Sequence, residues 1–289
     1  MNSTKIIFFC VLVLLTGSSP ALAQMERTRV VQDNQPVDDI FLAGSIAGLS
    51  TAISIPKNNM NTSVMHNFGL ISGGIDSFYG LDAGAAVRLG IDYGITDRLD
   101  VGIGRSSLED NVDLRFKYVI LHQLNSGKIP VHISLKTDIG VSTQNERRFD
   151  YTFSERLNYL ASLMIARKFT DAFSAQMSPM VAHFNTVVKE TESDELHHTF
   201  YGLGFAGRYK LNARNALAFE YLPALGPRND GYHDHMAIVF EIDTGGHVFQ
   251  LFLMSGRWFT EQHLLSRTQT DFTDLDFRFG FNINRVFGL

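Results

Sequence analysis

The segment LDFRFGFNIN, residues 275–284, gives the clearest indication of the fold class of this chain. Apolar side chains occupy every second position from Leu275 to Ile283, and polar residues or glycine occupy the positions between them. A period of two residues is typical of a β-strand whose two faces meet different surroundings. The same alternation runs through residues 87–95, 112–118 and 131–139. The sequence therefore predicts an all-β protein.

The alternation extends over most of the chain. It predicts twelve strands, near residues 60–69, 83–95, 99–105, 111–122, 131–142, 157–169, 173–184, 199–211, 216–223, 234–243, 247–254 and 274–287. Tight connections such as Gly245-Gly246 alternate with longer ones such as 185–198 and 255–273. An even number of strands, with short turns at one end and long loops at the other, is the outer-membrane barrel pattern. We predict a single up-and-down antiparallel transmembrane β-barrel with short periplasmic turns and longer extracellular loops.

Two features of the sequence bear on this prediction: an alternative fold with the same alternation, and a proline inside a predicted strand. A soluble sandwich or barrel also alternates, with its apolar face inward, and it is the alternative fold. Pro179 falls inside the predicted strand 173–184, where it removes a backbone donor, so we expect a β-bulge at that position.

The N-terminal region predicts export. Residues 1–23 combine Lys5, an apolar run from Ile6 to Leu15, and the small-residue ending Ala21-Leu22-Ala23, which are the three regions of a secretory signal peptide. We expect cleavage before Gln24 and delivery to the bacterial outer membrane. Residues 24–58 do not follow the strand rhythm, and we expect a periplasmic segment or a plug there. The barrel itself is predicted to span residues 59–289.

Composition excludes several kinds of site. The only cysteine is Cys10, inside the predicted signal peptide, so no thiol is expected in the exported chain. A formal net charge of −5 makes nucleic acid a poor partner. We expect no cofactor. The expected partners are outer-membrane lipids, the barrel-assembly machinery and a small solute.

Six short motifs in order carry a resemblance to a known family. They are RLGIDYGITDRL (88–99), VGIGRSS (101–107), ARKF (166–169), GRYKL (207–211), GGHVFQL (245–251) and FGFNINRVF (279–287). With these motifs the chain resembles an uncharacterised family of bacterial outer-membrane β-barrel proteins, classed as a domain of unknown function. The resemblance spans roughly residues 60–289. It implies the fold and the compartment, and it implies no activity or catalytic residue.

Charged residues occupy many of the strand positions that lie between the apolar ones. The alternation places them inside the barrel, and they are Arg88, Asp92, Asp113, Arg115, Lys117, Lys136, Asp138, Arg208, Lys210, Glu220, Glu241, Asp243, Asp276 and Arg278. They could form a selective pore lining or an ion-paired filling of the wall. Isolated charges in a narrow lumen are costly, so we expect mutual pairing and a narrow or plugged lumen.

Histidines give the only candidates for a metal site. His197 and His198 follow Asp194 and Glu195, while His233 and His235 flank Asp234, and imidazoles with carboxylates can bind zinc or copper. Histidines in solvated loops usually bind nothing specific, and we predict no metal. His132 and Ser134 share a strand face, but no partner that would orient the imidazole is identifiable, so we predict no catalytic residue.

The function that these patterns favour is a narrow channel, a transporter or a structural wall protein of the outer membrane. Two alternatives come from other classes. One is an outer-membrane enzyme acting on lipid or peptide, and the other is a barrel whose surface loops bind a ligand or a metal.

Overall fold

The computed structural model describes residues 34–144, 150–187 and 196–288. Within these ranges the chain forms twelve strands: β1 (Asn59–Leu70), β2 (Ala86–Gly94), β3 (Leu99–Ser106), β4 (Val112–Leu121), β5 (His132–Val141), β6 (Leu157–Lys168), β7 (Phe173–Phe184), β8 (Thr199–Lys210), β9 (Asn215–Leu222), β10 (His235–Asp243), β11 (Val248–Met254) and β12 (Arg278–Gly288). One α-helix, α1 (Glu261–Arg267), and three 3-10 helices (Ile71–Ser77, Ser154–Arg156 and Phe272–Asp274) lie in the connections.

The strands close into one barrel. Each strand pairs antiparallel with the next along the chain, and β12 pairs with β1 from Asn59↔Gly288 to Leu70↔Arg278. The predicted up-and-down barrel and its strand number are therefore confirmed. In the described part of the chain no helix is long and apolar enough to cross a membrane.

The two faces of the sheet differ as the alternation predicts. Leu89 and Ile91 on β2 are about half exposed on the outer face, whereas Arg88, the residue before Leu89, is buried on the inner face. Tyr209 and Phe219 are also exposed on the outer face, close to the short turns. Apolar side chains that cover the outside of a closed sheet suit a lipid environment, with aromatic residues near the interface. This arrangement excludes the soluble alternative with an inward apolar face.

Two local predictions are wrong. The last strand begins at Arg278 rather than at residue 274, because Leu275 has a φ of 64° and ends the 3-10 helix Phe272–Asp274. Asp276 therefore lies outside the strand in which its position was predicted. No bulge occurs at Pro179, which pairs with Leu203 in an unbroken β7–β8 register. Pro179 lacks the backbone N–H that would bond toward β6. The β6–β7 pairing is interrupted at this point without a change of register.

The described chain before β1 enters the lumen of the barrel and leaves it at the same end. It enters at the short-turn end, where Val37 N donates to Gln123 O at 2.8 Å, and it leaves there, where Asn58 N donates to Gly94 O at 2.9 Å. Between these points, residues 40–55 form a tight loop that we call the inserted segment. Its tip is closed by the bond from Ile46 N to Leu49 O at 2.9 Å.

The opposite end carries the longer connections, and the one between β11 and β12 turns inward. Within it, α1 packs toward the inner faces of β6, β7 and β8. Leu264 and Leu265 of α1 are fully buried in one cluster with Ile46 and Leu49 of the inserted segment. The apolar core of the molecule therefore lies inside the barrel, between α1 and the inserted segment.

Candidate functional site

A single carboxylate accepts the backbone N–H groups at the tip of the inserted segment. The backbone N–H groups of Ala47, Gly48 and Leu49 donate to Glu220 at 3.0, 2.9 and 2.9 Å. His235 Nε2 lies 2.8 Å from Glu220 Oε1, the same oxygen that accepts from Gly48 N. Successive backbone N–H groups that converge on a carboxylate form an anion-binding nest. Glu220 is fully buried, and these contacts compensate the loss of its hydration.

A second carboxylate joins α1 to the inserted segment and to the wall. Ser50 N donates to Glu261 Oε1 at 3.1 Å, and Lys136 Nζ pairs with Glu261 Oε2. Lys136 also lies 2.8 Å from Asp138 Oδ2 on the same strand. One buried ion-pair group therefore connects the inward-turned loop, the inserted segment and β5.

Amide and charged side chains of the wall bind the rest of the inserted segment. Gln176 binds it twice, because Ala52 N donates to Gln176 Oε1 and Gln176 Nε2 donates to Ser50 O, both at 2.8 Å. Further wall side chains with contacts of the same kind are Asp100, Lys117, His132, Ser134, Gln250 and Asn282. The polar backbone of the inserted segment is thus satisfied by the inner face of the barrel.

Most charges of the wall are paired with one another. Arg88 binds Asp113 at 2.5 Å, and Arg115 lies 3.3 Å from Asp92 and 3.7 Å from Asp138. On the other side of the barrel, Arg208 Nε binds Glu241 Oε2 at 2.6 Å. Buried charges with close partners avoid the large cost of an isolated charge. In this arrangement the ion pairs neutralise much of the buried charge of the lumen.

A cavity of about 350 Å³ lies at the long-loop end, next to α1. Phe184, Phe200 and Trp258 contribute apolar surface to it, and Arg257 and Arg278 contribute charge. Trp258 stacks on His263 of α1 with ring centroids 3.9 Å apart. The cavity is therefore bordered by the outer side of α1, while the inserted segment lies on the inner side of that helix.

A profile of the membrane-bound β-barrel domain family DUF5777 matches residues 41–287. This chain belongs to that family. No curated protein shows significant similarity to it.

Solved structures share the fold of this DUF5777 chain. The COG4313 outer-membrane channel from Pseudomonas putida F1 has a TM-score of 0.51 and 14% identity, over 82% of this chain and 98% of the channel. The NanC porin has a TM-score of 0.50 and 8% identity, over 80% of this chain and 99% of the porin. Identities this low show the fold alone. The DUF5777 chain is a membrane-bound β-barrel of the outer-membrane type.

Nine of the fourteen charged residues that the alternation places inside the barrel form two groups on the inner face. Arg88, Asp113, Arg115, Lys117, Lys136 and Asp138 form the group on β2, β4 and β5, and Arg208, Glu220 and Glu241 form the group on β8, β9 and β10. Arg115 has a side chain that is 13% exposed, and the other eight are buried. Lys210 and Asp243 lie at strand ends and are half-buried.

Sequence reasoning missed two carboxylates of the DUF5777 lumen. Asp100 binds Ile55 N at 3.0 Å, and the alternation of Leu99, Val101 and Ile103 in β3 could have placed it inside. Glu261 lies in a long connection where no alternation exists, so no signal in the sequence identifies it. The amide side chains Gln176, Gln250 and Asn282 follow strand alternation but carry no charge that would single them out.

The four candidate metal-binding histidines are not brought together. His235 is buried against Glu220, His233 Nδ1 lies 3.4 Å from Asp271, and His198 Nδ1 lies 2.8 Å from Phe184 O. The backbone N–H of His197 donates to Asn229 Oδ1 at 2.7 Å. Among residues 34–144, 150–187 and 196–288, no group of three or more His, Cys, Asp or Glu side chains is arranged to hold a metal. Asp194 and Glu195 lie outside these residues.

The long-loop end also holds a perturbed carboxyl. Thr273 donates to Asp271 Oδ1 from its hydroxyl at 2.7 Å and from its backbone N at 2.8 Å. These bonds lower the pKa of the Asp271 carboxyl below its ordinary value, because they stabilise the charged form. Asp271 is consequently ionised where it faces His233.

His132 and Ser134, the pair considered as catalytic residues, both contact the inserted segment. His132 Nε2 and Ser134 Oγ lie 3.0 and 2.6 Å from the same acceptor, Ala52 O of the inserted segment. The Ser134 hydroxyl therefore donates to a backbone carbonyl rather than to the imidazole. Both side chains hold the inserted segment against β5.

Proposed function

We propose that this protein is a narrow outer-membrane channel for small solutes, closed in this structure by the inserted segment and α1. The observation that carries the proposal is the contact between the lumen side chains and the backbone of residues 45–55. Eight strands leave an interior that side chains fill, whereas 16 to 18 leave an aqueous channel. Twelve strands lie between these limits, and here a separate stretch of chain occupies the remaining space.

The way in which the inserted segment is held supports opening rather than permanent filling. It enters and leaves the barrel at the same end, so it can be withdrawn without breaking the sheet. Its backbone binds wall side chains that would be solvated in an open, water-filled lumen, so withdrawal exchanges internal hydrogen bonds for bonds to water. A charged and amide-rich inner face is compatible with both states.

The proposed setting follows from the N-terminal pattern and the loop lengths. Residues 1–23 act as a cleaved signal peptide, the short-turn end faces the periplasm, and the long-loop end faces the outside. The inserted segment then acts as a plug that enters from the periplasm. Outer-membrane lipids surround the exposed apolar band, and the barrel-assembly machinery inserts the chain.

The second candidate is a structural wall protein whose lumen never opens, and the dense ion pairing of Arg88, Arg115 and Lys136 with carboxylates favours it. Bilayer conductance distinguishes the two. We would compare the full chain without its signal, the same chain lacking residues 24–56, and Glu220→Ala, with Asp171→Ala at an exposed short turn as the matched control. Heat-modifiable mobility on gels would verify that each barrel is assembled.

A channel predicts small, infrequent currents from the full chain and from Asp171→Ala. It predicts more frequent openings for Glu220→Ala, which frees the tip of the inserted segment, and larger steady currents for the deletion. If the assembled deletion variant conducts no more than the full chain, the channel is refuted and the wall protein is the better description.

A further inference from the structure

The cavity at the long-loop end has more positive than negative charge. Three arginines, Arg257, Arg267 and Arg278, and one carboxylate, Glu109, line it. Arg267 pairs with Glu109, and its guanidinium lies 4.5 Å from the centroid of the Phe184 ring. That pair is internally neutral, so the charge of the cavity rests on Arg257 and Arg278.

These two arginines have few partners of their own. The exposed guanidinium of Arg257 makes no hydrogen bond or ion pair with the described residues, and Arg278 Nη1 donates to Ser255 O at 3.3 Å. Arg257 and Arg278 both belong to the lining of this cavity. Two cations in the lining of one cavity attract an anion.

The rest of the lining is suited to an organic body. Trp258, Phe200 and Leu108 border the cavity, and Trp258 is fixed in place by its stack on His263. The volume of about 350 Å³ falls in the range of small-molecule sites, roughly 300 to 1,000 Å³. Such sites combine apolar walls with a few polar groups that orient the ligand.

We propose that this cavity binds a small organic anion, whose carboxylate or phosphate group meets Arg257 and Arg278 and whose body packs against Trp258. The planar guanidinium presents paired donors that match the oxygens of either group. The site lies on the outer side of α1. Binding there needs no open lumen, so it does not depend on the proposed channel activity.

The chain carries its own reporter for the test. Trp258 is the single tryptophan of the sequence, so tryptophan fluorescence reports this cavity alone. The full exported chain, refolded in non-ionic detergent micelles, would be titrated with benzoate, with phenyl phosphate and with the neutral benzyl alcohol. We expect a saturable change with at least one of the two anions and none with benzyl alcohol. The comparison of benzoate with phenyl phosphate identifies the preferred charged group.

Variants assign the effect to the two arginines. Arg257→Gln and Arg278→Gln should each weaken anion binding about tenfold or more, since each removes a charge-assisted hydrogen bond. Arg214→Gln, an exposed arginine at the short-turn end, is the matched control and should bind as the unmodified chain does. The Arg257 side chain is exposed and makes no hydrogen bond or ion pair with the described residues, so its variant should assemble. Arg257→Gln therefore decides the question by itself if Arg278→Gln does not fold.

Three results would overturn the proposal. The first is an absence of saturable change with both anions. The second is an equal response to benzyl alcohol, which would mean apolar uptake from the micelle. The third is unchanged affinity in Arg257→Gln, or a loss in Arg214→Gln of the same size.

Discussion

Gly48 and Glu220 are 172 residues apart in the sequence, yet the backbone N–H of Gly48 donates to Glu220 Oε1 at 2.9 Å inside the barrel. Gly48 is at the tip of the inserted segment and Glu220 is on the wall strand β9. Ala47 and Leu49 donate to the same carboxylate, so Glu220 accepts three backbone N–H groups of the tip.

Replacing Glu220 should loosen the tip without unfolding the barrel. Glu220→Ala leaves three buried N–H groups without an acceptor, and losing even part of these charge-assisted bonds costs about 2 kcal/mol. Hydrogen exchange of the amides of residues 47–49 should rise roughly 30-fold, while the amides of β9 stay protected. Asp230→Ala, at an exposed loop position, is the control. Unchanged exchange at the tip would show that the Glu220 contact contributes little.

The inserted segment also contains a close packing contact that two glycines can test. A Cβ on Gly48 would lie 2.5 Å from Leu264 Cδ1 of α1, whereas a Cβ on Gly44 would have no neighbour within 4 Å. Gly48→Ala should therefore destabilise the packing of α1 by about 1 to 3 kcal/mol, as overpacking does in well-packed cores. Gly44→Ala should be neutral. Urea unfolding in detergent would measure both, and equal midpoints would contradict the close approach of α1 to the tip.

Lys136 and Glu261 should be energetically coupled. Lys136→Met leaves Glu261 and Asp138 buried without this cation, which should cost about 3 to 5 kcal/mol. Adding Glu261→Gln removes one of the uncompensated charges, so the double variant should be more stable than the sum of the single losses predicts. The double-mutant cycle should give a coupling of about 0.5 to 3 kcal/mol. Strict additivity would mean that α1 is not held through this pair.

The turn between β10 and β11 makes a prediction with a control at the next residue. Gly245 has a φ of 81°, which β-branched residues resist, while Gly246 is not in the left-handed region. Gly245→Val should reduce the amount of assembled, heat-modifiable barrel, since strain at such a position costs of order 1 to 3 kcal/mol. Gly246→Val should assemble normally. Equal assembly of the two variants would contradict the turn geometry.

The orientation of the barrel can be read by labelling single cysteines from outside intact cells. Ser154→Cys and Asp230→Cys lie at exposed positions of the long-loop end, and Asp171→Cys and Ala213→Cys at exposed positions of the short-turn end. The first two should react with an impermeant maleimide and the last two only after cell lysis. The reverse pattern would invert the proposed orientation.

The positions of most strands and the direction of their side chains follow from the amino-acid sequence alone. β7 is predicted at residues 173–184 and forms at Phe173–Phe184, because alternation is a local property of the pleated backbone. The predicted strand bounds were wrong where the backbone leaves the extended conformation. At Leu275 the positive φ makes β12 begin later than the alternation predicts. Alternation also marks the inward position of Glu220, but it cannot say what that carboxylate binds.

The contents of the barrel interior, in contrast, became known only from the three-dimensional fold. Ser50 and Glu261 meet at 3.1 Å although they are 211 residues apart, and neither lies in a strand. Loop residues have no periodic face that could reveal their surroundings. Their partners are set when closure of the barrel places β9, β5 and α1 around the inserted segment. In that arrangement the buried donors and charges form the hydrogen bonds and ion pairs that replace their contacts with water.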